Sequence, residues 1–157
     1  MTTMTMTEVS SSSEKDRAEY RGRHWARRLA LQALYQWDMS GGDISELLDQ
    51  FSRKDDILRA NAGYFEQLVR GVLDHEEDLD KQLTPALDRP MKRLDPVERT
   101  VLRFACYELL HCREVPTAVI LSEATRLAAK FGTDKGSKYV NAVLDRVAIS
   151  LRKACAA

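Results

Sequence analysis

The chain has 157 residues, 44% hydrophobic and 31% charged, with 24 basic against 24 acidic side chains. That length carries one folding unit with a real core. Its apolar runs are too short to span a membrane, and its first residues, MTTMTMTEVSSSSEK, lack the apolar stretch of a signal peptide. The zero net charge hides a split: nine bases against fourteen acids over 43–100, but nine against five over 101–157. A polyanion partner is therefore not excluded, provided the positive field is local. Three cysteines (Cys106, Cys112, Cys155), odd in number and without a CxxC, fit reduced cytoplasmic thiols.

Residues 1–19, rich in Ser, Thr and Met, read as a disordered tail, and 20–157 as the folded domain. The first helix is predicted from about Tyr20 to Met39. Ala26, Leu29, Ala30, Ala33, Leu34 and Trp37 recur along one of its faces. The tandem glycines of SGGD end it, and Asp43 or Ser45 caps a short second helix to about Phe51. A longer helix spans about Asp56–Leu83, burying Phe65, Leu68, Val69, Val72, Leu79 and Leu83, with a break expected near Gly71 or Asp74. Asp95 is placed as N-cap of the next helix, with Pro96 at its first position and Glu98 completing a capping-box pattern. That helix runs to about His111 and buries Val97, Val101, Phe104 and Ala105, with Leu102 and Leu109 beside them. Another starts near Pro116, buries Ile120, Ala124, Leu127, Ala128 and Phe131, and stops at Gly132. The last opens near Thr133–Gly136 and buries Val140, Val143, Leu144, Val147 and Leu151. Strand signals are absent, so the fold is all-α, of about six to seven helices.

On a helical wheel at about 100° per residue, Arg28, Leu31 and Tyr35 fall within about 40° of His24, with Arg21 near 60°, away from the apolar stripe. Arg23 and Arg27 flank this face, and no acid lies between Tyr20 and Trp37. A basic stripe with an exposed tyrosine suits single-stranded RNA, since arginines hold phosphates and the ring stacks an unpaired base. A merely solvated helix face is the plain alternative. On the last helix, Lys135 and Lys138 are placed as phosphate contacts and Tyr139 as a stacking ring. The alternative is a Tyr139 half-buried at the core edge, with Asn141 bonded to neighbouring backbone. No catalytic motif appears. Cys106, His111 and Cys112 match no usual zinc spacing, so no metal, cofactor or enzymatic activity is expected. The acidic run Asp74–Asp80 reads as a solvated face or a surface for a basic protein.

The segments RRLALQALYQWDMS and LDPVERTVLRFACYELLHCREVPTAVILSEATRLAAKFGTDKGSKYVNAVLD, with the helix order between them, resemble the NusB family of bacterial transcription antitermination factors over roughly residues 20–150. The resemblance implies two packed helical bundles. It also implies binding of the boxA segment of nascent ribosomal RNA operon transcripts and a heterodimer with NusE, a ribosomal small-subunit protein. Membership of an RNA polymerase antitermination complex follows, with a homodimer in some members. Family RNA contacts, matched by motif, fall on Arg23, Arg27, Tyr35, Lys138 and Tyr139. Arg21 and Arg28 are added from the wheel, and Lys135 from a loop position that is acidic in some members. His24 and Trp25 stand where some relatives carry more arginine, which implies weaker phosphate binding there or stacking by Trp25. The other reading is an oligomerisation or accessory RNA-binding module, related to the N-terminal domain of RNA cytosine methyltransferases.

Overall fold

A computed structural model describes the backbone over residues 6–156 and side chains over 13–154. Helix α1 (Met6–Ser40) is longer than the sequence pattern suggests. Residues 1–5 of the expected disordered tail lie outside the described residues, but from Met6 onward the chain is helical. Residues 14–20 are exposed. Helix formers and an i,i+4 pair between Glu19 and Arg23 (3.3 Å), not packing, carry this first stretch. The helix ends where Gly41 and Gly42 take φ of +66° and +108°, a region open to glycine at little cost. Gly41 N–H closes the last turn onto the Trp37 carbonyl at 2.7 Å.

Asp43 caps α2 (Ile44–Ser52) by accepting from the Ser45 N–H at 2.9 Å. A 3-10 turn (Asp55–Leu58) leads to α3 (Ala62–Asp74), capped by Asn61. The predicted break falls at His75, whose backbone (φ −118°, ψ 18°) leaves the helical region before α4 (Glu76–Leu83). Gly71 lies under the Tyr107 ring, which a Cβ would overlap. Two further 3-10 turns, Thr84–Ala86 and Met91–Arg93, connect to α5 (Pro96–His111).

At the start of α5 the capping pattern is half formed. Asp95 accepts from the N–H groups of Val97 (3.0 Å) and Glu98 (3.3 Å). Glu98 does not reach back to close the box. It is buried and accepts from Thr133 Oγ1 at 2.6 Å. Helix α6 (Thr117–Phe131) ends at Gly132, and α7 (Gly136–Ala156) follows a short turn. Gly136 is close enough to the Glu98 carboxylate that a Cβ there would overlap it.

Helix α5 is the hub, packing against α1, α3, α4, α6 and α7, so the N-terminal helices α1–α3 and the C-terminal helices α4–α7 share one core. Among the described residues the fold has seven α-helices and no strand. The predicted stripes of α1, α3, α4, α6 and α7 supply that core, with Trp37, Val97, Leu109 and Leu151 half-buried at its margin. Two positions differ. Leu31, on the outward side of the wheel, is 3% exposed, because α1 is covered by α2, α3, α5 and the Asp55–Leu58 turn and not along a single stripe. Phe131, expected in the core, is 36% exposed at the end of α6.

Candidate nucleic-acid interface

The basic residues of α1 divide between two faces. On the inward face Arg27 is 1% exposed, and its Nε donates to Glu108 Oε1 of α5 at 2.8 Å. The hydroxyl of Tyr64, on α3, donates to the same oxygen at 2.5 Å. Burial opposes the Arg27 charge, but Glu108, with Tyr64 and Glu123, more than reverses this and lifts the guanidinium pKa above its ordinary value. Burial also raises the Glu108 carboxyl, against the pull of Arg27 and Tyr64.

One turn earlier, His24 Nδ1 lies 2.7 Å from Oε2 of the buried Glu123 on α6, and the Tyr20 hydroxyl donates to the other oxygen. Arg23 is half-buried, 3.3 Å from Glu19 and 3.9 Å from Glu114, with its guanidinium over the Tyr64 ring. The acids missing from the Tyr20–Trp37 window are thus delivered by α5, α6 and the turn between them. Arg27 is a core ion pair and not a surface phosphate contact, which corrects its placement on the outward side.

The outward face keeps Arg21, Arg28 and Tyr35. Arg21 is exposed, and Tyr35 is 39% exposed. Arg28 lies between two aromatic rings, 5.1 Å from the Trp25 centroid and 5.2 Å from that of Phe131. At the start of α7, Lys135 and Lys138 are exposed. Among the described residues, no carboxylate forms an ion pair with Arg21, Arg28, Lys135 or Lys138.

Tyr139 departs from its expected role. Its hydroxyl donates to Asp88 Oδ1 at 2.9 Å, and Arg89 covers its ring at 4.9 Å. Hydrogen bonds from Arg89 and Tyr139 hold the Asp88 carboxyl down at about 2. Tyr139 is therefore an engaged, half-buried residue facing the α4–α5 connection, with Arg89 over its ring. Asn141 makes a 3.4 Å hydrogen bond with Thr125 of α6.

The two halves of the expected site are linked through the start of α5. Thr133, just before α7, bonds Glu98, and the next residue, Arg99, bonds Asp38 near the end of α1 at 2.5 Å. Arg28 makes a second link through Phe131. The turn carrying Lys135 thus sits at the α5 start, beside the second half of α1, whereas Tyr139 engages Asp88 and Arg89. Reasoning from sequence missed Phe131, Arg59 and Lys130 as neighbours of this face. Phe131 carried a core signal, and Arg59 comes from a turn with no pattern of its own.

The remaining chemistry is quiet. Burial pushes the Cys106 thiol up to about 12 and that of Cys112 up to about 11, far from thiolate reactivity. His75 and His111, distant in sequence, stack at 4.6 Å, yet among the described residues no group of three or more metal-ligating side chains forms. No described helix is long and apolar enough to cross a membrane.

The seven-helix fold and its cationic, aromatic outward face define a small all-helical binding protein. Comparison narrows the class. The NusB family model matches residues 24–149. Two relatives named transcription antitermination protein NusB come from Xylella fastidiosa strains: 9a5c is 48% identical over 82% of each chain, and M23 is 45% identical over 90% of each. Among solved structures, T. maritima NusB superimposes with a TM-score of 0.71 at 28% identity, covering 80% of this chain and 89% of that one. A crystal structure of the antitermination factors NusB and NusE in complex with dsRNA matches with a TM-score of 0.71 at 27% identity, covering 83% and 97%. The chain belongs to the NusB family of transcription antitermination proteins, which are non-enzymatic factors.

Proposed function

We propose that this chain binds the boxA segment of nascent ribosomal RNA operon transcripts together with NusE, within an RNA polymerase antitermination complex in the cytoplasm. The observation that carries this reading is the similarity to a NusB chain solved with NusE and RNA, 97% of which is covered. The RNA site we assign comprises Arg21, Arg28 and Tyr35 on α1 and Lys135 and Lys138 at the start of α7, with the half-neutralised Arg23 at its margin. The exposure of Arg21, Tyr35, Lys135 and Lys138, and the lack of a carboxylate partner for these cations and Arg28 among the described residues, support it: phosphates supply the missing anions and Tyr35 offers a face to a base.

For basic NusE we assign the acidic α3–α4 junction. Arg103 already holds Asp80 (3.0 Å) and Glu76 (3.3 Å), which leaves Asp74, Glu77 and Asp78 exposed for the partner. The test is a titration of labelled boxA RNA, single-stranded and as a duplex, with and without NusE. Binding is expected to be weak alone, tighter with NusE, and steeply weakened by salt. Wild-type affinity in both Tyr35→Ala and Lys138→Ala refutes the RNA site. Unchanged NusE capture by the triple reversal Asp74→Lys, Glu77→Lys, Asp78→Lys refutes the partner surface.

A further inference from the structure

Beside the site above, cations and aromatic rings from three separate places in the chain meet on one side of α1. Arg59, which follows the Asp55–Leu58 turn, lies 5.0 Å from the Trp25 ring centroid, and Arg28 lies 5.1 Å from the same ring. Arg28 reaches Phe131 at 5.2 Å, and Lys130 Nζ is 5.7 Å from that ring. The order is Arg59, Trp25, Arg28, Phe131, Lys130.

Among the described residues none of the three cations has a carboxylate within ion-pair distance, and Arg28 Nε is buried without a hydrogen-bond partner. The contrast with Arg27, Arg99 and Arg103 is sharp, since each of those is held by at least one acid. Like charges in a row repel, and the ring faces offset only part of that repulsion. An anion removes the rest. A solvated basic face needs no aromatic rungs, and an acidic peptide uses the cations alone. Single-stranded RNA uses both, because its bases stack on rings and guanidinium planes while its phosphates meet the charges. Trp25, Arg28 and Tyr35 also share one side of α1, and at 1.5 Å per residue Trp25 and Tyr35 stand about 15 Å apart along the axis.

We infer that this ladder is a second station for single-stranded RNA, which shares Arg28 with the site above, takes the nucleotides flanking boxA and continues the track that begins at Tyr35 and Lys138. The inference rests on the RNA-binding reading above. It is tested on the chain in complex with NusE, by fluorescence anisotropy of a boxA RNA and of the same RNA extended at either end by oligouridine. Arg59→Glu changes an exposed turn, and Trp25→Ala is paired with Trp25→Phe, which keeps a ring. Unchanged melting curves establish that all three fold.

Arg59→Glu and Trp25→Ala are expected to weaken binding of an extended RNA at least about fivefold. Arg59→Glu should also flatten its salt dependence by about 0.7 in log–log slope per lost phosphate contact, whereas Trp25→Ala removes no charge and should leave that slope unchanged. Binding of unextended boxA should stay at wild-type strength, and Trp25→Phe should restore most of the loss. If both variants bind the extended RNA like wild type while Tyr35→Ala weakens it, the ladder is overturned and the main site stands. Wild-type protein that binds no RNA overturns both. Loss of NusE affinity in these variants without RNA assigns the face to a protein and likewise overturns the proposal.

Discussion

On the inward side of α1, Arg27 is enclosed by α3 and α5, bonded to Glu108, with Tyr64 donating to the same carboxylate. On the outward side its neighbour Arg28 lies between Trp25 and Phe131 without a carboxylate partner among the described residues. The two are the same residue type, adjacent in sequence and about 100° apart on the helix. One has its counter-charge inside the fold, and the other has none among the described residues. Cationic side chains along this helix are therefore sorted by the acids that tertiary packing supplies, and their density along the helix does not separate them.

The largest effect expected from breaking this contrast is on the inward side. Glu108→Ala leaves Arg27 buried and unpaired, and should cost about 3–5 kcal/mol of stability, measured as a lowered urea midpoint at unchanged slope. RNA affinity of the remaining folded protein should stay near wild type, and a loss of affinity matching that of Tyr35→Ala would erase the distinction between the faces. Tyr35→Ala makes the opposite trade. It should lower boxA affinity by about 1–3 kcal/mol while moving stability by no more than about 0.5 kcal/mol.

The pH dependence of stability sharpens the inward side further. Burial alone would raise the Glu123 carboxyl, but hydrogen bonds from Tyr20 and His24 and the charges of His24 and Arg27 outweigh it, and the net pKa is lowered. A lowered folded-state pKa means the unfolded chain takes up the proton first. The Glu123 contribution is thus complete above the ordinary glutamate pKa of about 4.3 and is lost as pH falls below it. Melting temperature plotted against pH should be flatter in that acid range for Glu123→Gln than for wild type; parallel curves would remove Glu123 from the account. The smallest effect is that of Arg21→Ala, on the exposed edge of α1. It should leave stability unchanged and reduce the salt slope of RNA binding by about 0.7, one phosphate contact.

Much of the architecture was legible because it is local. The glycine pair after α1, Asp43 and Asp95 as caps, Pro96 at the first turn of α5 and the apolar rhythm of α7 all act within a few residues, through backbone geometry and helical period. The start of α1 was not legible: the Ser- and Thr-rich stretch has no apolar period, and the structure draws the helix from Met6. Of the candidate site, Arg21, Tyr35 and Lys138 lie on the surface, as the wheels placed them, and so does Lys135 from its loop, while Arg28 is half-buried between rings. Arg27 does not, because its partner Glu108 is 81 residues away. Tyr139 does not offer a free ring, because Arg89 lies over it while Asp88, 51 residues earlier, holds its hydroxyl.

The sequence by itself determined the all-helical class, the main helix boundaries, most of the core and the family, since each rests on short-range pattern or on motif order. Only the tertiary structure decided which arginines are neutralised, which aromatic rings stay open, and that Arg59 and Phe131 stand on either side of the Trp25–Arg28 pair. Ion pairing and stacking depend on distance in space, and in this fold the groups that meet come from α1, the turn before α3, α5 and the end of α6.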